Sequence, residues 1–151
     1  MQSTALNIAL VASVVVVGGV LWLNTPQKND SEIVARTGLH WHPQITIYVK
    51  GERQEIPANI GLGPQYAGMP TFDTSMRMTA MHTHEPDGTI HLEFPARVTR
   101  EDIMLGNFFR ICGKEMRSFG TNMRMTVNGQ ENTLFESYIM RDEDRIELHY
   151  D

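Results

Sequence analysis

The chain has 151 residues, of which 41% are hydrophobic and 21% charged, and its 13 basic and 18 acidic side chains leave a net charge of −5. That balance argues against nucleic acid and against an acidic membrane surface as partners. A single cysteine excludes an intramolecular disulfide, so cysteine usage says nothing about redox compartment.

Residues 5–23 carry no charge, and about 20 apolar residues suffice to cross the hydrocarbon layer of a bilayer. Trp22 near the end of this run fits the aromatic preference for the membrane interface. A cleaved signal peptide is the rival reading. Against it, no Lys or Arg precedes the run, the run is longer than the usual h-region of about 7–15 residues, and no small-x-small cleavage site follows. The expectation is a single-pass anchor over residues 1–23 whose partner is the lipid bilayer, through residues 5–23. Residues 24–37 are polar, contain Pro26 and read as a linker, leaving 38–151 as one α+β domain with a modest core. Lys28 and Arg36 follow the anchor but are mixed with Asp30 and Glu32, so the charge rule for orientation is weak. An extracytoplasmic domain on the cell membrane is expected, by analogy with other small anchored metal-binding modules.

Ile45, Ile47 and Val49 alternate with polar or amphipathic neighbours, which is a strand signal. Lys50-Gly51-Glu52 is a turn, and Arg53 to Ile60 can return as a partner strand that Pro57 confines to an edge or an early end. Gly61 to Thr74 reads as an irregular loop. Met76–His84 is a second extended segment, Glu85-Pro86-Asp87-Gly88 a turn, and Ile90, Leu92 and Phe94 alternate with His91 and Glu93. A helix is predicted from about Arg100 to Cys112. Thr99 and Asp102 form its capping box, Met104, Leu105, Phe108, Phe109 and Cys112 its apolar face, and Gly113 its end. Met123, Met125 and Val127 then alternate, Asn128-Gly129 marks a two-residue hairpin, and Ile146, Leu148 and Tyr150 close the chain as a last strand. The order predicts a small mixed sheet with one main helix.

Five of the six histidines fall in three short pairs: His40-Trp41-His42, His82-Thr83-His84 and His91-Leu92-Glu93. Residues i and i+2 of a strand share a face, so each pair can aim two side chains at one point. Neutral imidazole is the commonest ligand for zinc, copper, iron and nickel. The turn at Glu85–Gly88 would fold His82 and His84 back on His91, and a neighbouring strand would supply His40 and His42. The candidate metal ligands are therefore His40, His42, His82, His84, His91 and Glu93, the last either a ligand or the carboxylate that orients an imidazole. Glu85 lies in the turn and is a weaker candidate for the same role. A lone surface histidine is usually only a polar residue, and a hydrogen-bonded cluster shaping a loop is the plain alternative for all five. His149 reads as a surface residue. Met76, Met78 and Met81 lead into His82, and thioether selects Cu(I), which favours copper over zinc and then iron; ordinary core filling is the rival use of methionine. Cys112 lies on the apolar helix face without a following histidine, against a blue-copper site.

Leu39-His40-Trp41-His42, Met81-His82-Thr83-His84 and Gly88-Thr89-Ile90-His91-Leu92-Glu93 together resemble a family of small prokaryotic membrane-anchored domains. The resemblance implies that the histidine motifs act as one unit; it implies neither an activity nor a metal. That family's helix reads Phe-Phe-x-x-Trp-Gly, whereas this chain has Phe108-Phe109-Arg110-Ile111-Cys112-Gly113. Separately, Met123–Tyr150, with its Val127-Asn128-Gly129 turn and its closing Asp144-Arg145-Ile146-Glu147-Leu148, resembles the second half of a β-grasp (ubiquitin-like) fold.

Three functions follow from these readings. The first is a membrane-tethered protein that captures, buffers or delivers a transition metal. The second is a metalloenzyme in which three histidines leave an open position and Glu85 or Glu93 acts as general base. The third is a β-grasp-like interaction module with structural histidines. No nucleophile motif, phosphate loop or dinucleotide fingerprint is present, so an enzyme would rest on the metal alone.

Overall fold

Alternation of apolar side chains puts Ile45 and Ile47 on one face of a strand and Ile146 and Leu148 on one face of another, and these two strands meet at the centre of the main sheet. In the computed structural model, which describes residues 32–151, β1 (Ile33–Ala35), β2 (Leu39–Trp41), β3 (Gln44–Val49) and β4 (Glu52–Gln54) come first. They are followed by β5 (Phe72–Asp73), β6 (Met78–Thr79), β7 (Met81–His82), β8 (His91–Phe94), β9 (Val98–Thr99) and the helix α1 (Leu105–Ile111). The chain ends with β10 (Arg124–Val127), β11 (Gln130–Glu131) and β12 (Arg145–Tyr150). Among the described residues the result is a mixed α+β arrangement, mostly sheet with one α-helix.

The main sheet runs in the order β11–β10–β12–β3–β4, with β12 parallel to β3 and the other neighbours antiparallel. Its register sets Ile146 beside Ile45 and Leu148 beside Ile47. All four are at most 2% exposed, and full burial of such a side chain stabilises by about 1.5–3 kcal/mol. β4 stops at Gln54, three residues before Pro57, in line with the edge position that Pro57 imposes. Asn128 and Gly129 both take positive φ, 52° and 78°, which is the backbone a two-residue hairpin needs.

A second, three-stranded sheet has the order β2–β8–β7. Leu39 pairs with Phe94, His40 with Glu93, Trp41 and Met81 with Leu92, and His82 with His91. The turn after His84 is tied to β3: Ile45 N–H donates to the Gly88 carbonyl at 2.9 Å, and Ile90 N–H donates to the Pro43 carbonyl at 2.8 Å. Gly88 has φ +90°, and a Cβ there would overlap the Ile45 carbonyl oxygen. Only glycine lets the turn sit this close to the main sheet. Two-stranded ribbons β1–β9 and β5–β6 complete the strands. β1 falls in the stretch read as a linker and pairs through Ile33 with Thr99 and Ala35 with Val98.

The helix is shorter than its periodicity predicts. Glu101–Ile103 form a separate 3-10 turn, and Met104, at φ −68° and ψ 139°, is extended, so regular α-helix begins only at Leu105. Asp102 accepts hydrogen bonds from both the backbone N–H and the hydroxyl of Thr99, each 2.7 Å. The capping pair therefore exists but closes the short turn. Leu105, Phe108, Phe109 and Ile111 are the buried helix residues, while Met104 and Cys112 are only half-buried. No helix among the described residues is long and apolar enough to cross a membrane; the anchor read over 1–23, and most of the linker, lie outside them.

Candidate metal centre

Strand alternation in the three-stranded sheet sends the middle residue of each histidine pair toward the interior. Leu92 is fully buried in the core, Trp41 packs against it, and Thr83 is fully buried. Each histidine or glutamate on either side then projects from the opposite face. Thr83 is also the peg that fixes its neighbours: its hydroxyl donates to the Pro57 carbonyl at 2.9 Å and accepts from the Ile60 N–H at 3.1 Å. Its backbone N–H and carbonyl pair with the Ile60 carbonyl and the Asn59 N–H, both at 3.0 Å. Gly61, at φ +78°, lets this loop lie against β7, since a Cβ there would meet Thr79, the Met81 carbonyl and His82.

Five imidazoles converge. His82 and His84 place their Nε2 atoms 3.2 Å apart, close to the roughly 3.3 Å between two ligands of a tetrahedral ion bound at about 2.0–2.1 Å. His82, His84 and His91 form one group whose ligand atoms all lie within 4.8 Å of one another, and His40, His42 and His91 form a second. His91 thus belongs to both. Ring centroids are 5.3 Å apart for His82 and His91, 4.6 Å for His84 and His91, 4.9 Å for His42 and His91, and 4.7 Å for His40 and His42. The strands that separate these residues in sequence bring them together in space, and such groups of imidazoles can hold a metal ion.

Electrostatics favour the neutral, ligating form at the two least exposed rings. Burial holds the His82 imidazole below its ordinary pKa, with the nearby His84 and His91 adding to the effect; the Thr79 carbonyl and Glu93 oppose it. Burial also lowers His91, helped by His84, His42 and His40 and opposed by Glu93. His82 Nδ1 lies 3.0 Å from the Thr79 carbonyl, which can only accept, so the ring proton sits on Nδ1 and Nε2 presents its lone pair toward His84. His91 Nδ1 is buried with no hydrogen-bond partner. An orphaned buried nitrogen inside a ring of imidazoles is costly unless something with positive charge takes its lone pair.

Glu93 stands beside both groups. Its Oε1 is 3.0 Å from His40 Nε2 and 3.8 Å from His91 Nδ1, the second being too long for a hydrogen bond. This is the geometry of a carboxylate that orients an imidazole. Glu85 is exposed in the turn and has no hydrogen bond or ion pair to the histidines among the described residues. Two positioning groups were not visible in the sequence pattern. Asp142 accepts from the His42 backbone N–H at 2.8 Å and stands 4.0 Å from its Nδ1, but it lies 100 residues away in the chain. The Thr79 carbonyl is a backbone atom, which no side-chain motif reveals.

His149 lies apart from the cluster, on β12, with its ring stacked on Tyr48 at 4.7 Å and its Nε2 3.4 Å from Glu147. Met81 is 2% exposed and belongs to the hydrophobic core. As the strand neighbour of His82 it faces the opposite side, so its thioether points away from the histidines and fills the core instead. Met76 and Met78 remain, lining a groove of about 690 Å³ whose other wall includes His40, Glu93 and Phe94. Cys112 packs against the core and burial pushes its thiol up to about 12, which keeps it protonated and inert. No protein-family model, curated protein or solved structure matches the chain.

Proposed function

We propose that this chain is a membrane-tethered protein that binds a transition metal for capture, buffering or delivery, with copper the favoured ion and zinc next. The observation that carries this reading is the convergence of five imidazoles, from three strands and the residues just past β2 and β7, into two groups joined at His91. Imidazole without thiolate suits copper and zinc alike. Thioethers at exposed Met76 and half-buried Met78, which line the same groove as His40, offer a soft donor and tip the choice to copper. Tethering by a single pass rests on the charge-free run of residues 5–23, and an extracytoplasmic domain on analogy with other small anchored metal-binding modules. The scaffold is β-grasp-like. Its order β4–β3–β12–β10–β11, with the last strand parallel to β3 and central, supports that description, and the kinship with the prokaryotic histidine-motif domains is proposed on the same motif residues.

Equilibrium dialysis of the full chain against copper, with metal analysis, tests the function. At least stoichiometric binding is expected, together with a marked loss in His82→Ala. Less than stoichiometric binding of any transition metal, with no change in the variant, would refute it.

A metalloenzyme is the second reading, and the groove beside His40 and Glu93 favours it. Each group supplies three histidines, which leaves coordination positions open to water or substrate. Glu93 would then act as the general base. Metal-dependent turnover of a hydrolysable ester or phosphoester that is lost in Glu93→Gln, with metal content unchanged, would move the assignment from carrier to catalyst.

A further inference from the structure

The five imidazoles are divided about one residue. His91 stands on the middle strand of the three-stranded sheet, with His40 and His42 contributed from one side and His82 and His84 from the other. It completes the triad of each pair. Its hydrogen bonding also differs from that of His82. An imidazole that ligates one ion holds its second nitrogen to a carbonyl or carboxylate, as His82 does through Thr79. Among the described residues, neither nitrogen of His91 is hydrogen-bonded to protein, and Nδ1 is buried without a partner. That Nδ1 lies on the side of Glu93, whose same oxygen contacts His40.

Building on the metal-binding reading above, we propose that the cluster is a two-ion centre in which His91 is the shared ligand. Nδ1 serves the position completed by His40 and His42, and Nε2 serves the position completed by His82 and His84. A neutral imidazole has one free lone pair. Binding of the second ion therefore displaces the ring N–H proton to solvent, and the resulting imidazolate bridges the two ions without any electron transfer. The ions are divalent and accept imidazole readily, which means Cu(II) or Zn(II). The two positions differ in access. His82 is fully buried although His84 is exposed, whereas the His40 and His42 side chains are 63% and 42% exposed, so one position is anchored on a buried ring and the other is the more open to exchange.

Titration of the full chain with Cu(II), followed by elemental analysis and electron paramagnetic resonance, tests this. Wild type is expected to retain two copper ions per chain, with a spin count well below the copper count because the bridging ring couples the two spins. His40→Ala/His42→Ala alters only exposed side chains and leaves the fold intact. It should retain one copper with its full spin count. Saturation of wild type at one ion overturns the two-ion centre while leaving the carrier function standing; no copper at all overturns both. Two ions with an undiminished spin count, or two ions in the double variant, overturn the sharing of His91.

Discussion

At the scale of single residues, the cluster is set by what lies between and behind the histidines as much as by the rings themselves. Thr83 is the clearest case, because its buried hydroxyl satisfies both a carbonyl and an N–H of the Pro57–Ile60 loop. Thr83→Val keeps the shape and removes both hydrogen bonds. It should cost about 1–3 kcal/mol, read as a lower denaturant midpoint at unchanged slope, and should weaken metal binding because His82 and His84 lose their fixed spacing. An unchanged midpoint would show that Thr83 is not the peg. Protonation gives a second prediction. The folded-state pKa values of His82 and His91 are lowered from 6.5, so the unfolded chain binds more protons than the folded one as pH falls below about 6.5. Stability of the metal-free chain is therefore full above that pH and declines through the region below it. Metal binding should weaken in the same range, because a protonated ring cannot coordinate. Thermal melts and dialysis at pH 7.5 and 5.5 check both, and identical values at the two pH values would contradict the burial of these rings.

At the scale of elements, the hairpin β7–β8 and the strand β2 are the working parts, and the loops behind them hold their register. Gly61→Ala places a side chain against Thr79 and β7 at a left-handed backbone position. It should destabilise the fold by about 1–3 kcal/mol and lower metal affinity, whereas Gly129→Ala, at φ +78° with open space around it, should lower stability alone. Equal loss of metal affinity in the two variants would separate the Gly61 loop from the site. Much of this sheet was legible in the sequence, because pairing of His82 with His91 follows from a short turn and a period of two, both local signals. The helix was less legible. Apolar spacing from Met104 to Cys112 fits a helix, but a periodicity does not report the extended backbone at Met104 or the independent turn at Glu101–Ile103. The lean toward copper loses Met81 for a related reason: as the residue next to His82 in a strand it faces the opposite side, where it fills the core. Asp142, reached only when β12 folds beside β3, had no local signal at all.

At the scale of the whole molecule, a five-stranded sheet, the helix α1 and a shared core among the described residues hold a second sheet, one face of which gathers five imidazoles. Packing those rings together buries a His91 nitrogen that no protein group hydrogen-bonds, so an ion bound there should stabilise the folded state over the unfolded one by mass action. The melting temperature of the full chain should rise on loading with copper or zinc and return on chelation. An interaction module with purely structural histidines would melt at the same temperature in both states. The most direct measurement is X-ray absorption at the metal edge of the chain loaded with one equivalent of zinc. A first shell of nitrogen at about 2.0–2.1 Å, with the multiple scattering of three or more imidazole rings and no sulfur, is the predicted result. A shell of water oxygens alone, or one containing sulfur from Met81 or Cys112, would contradict it.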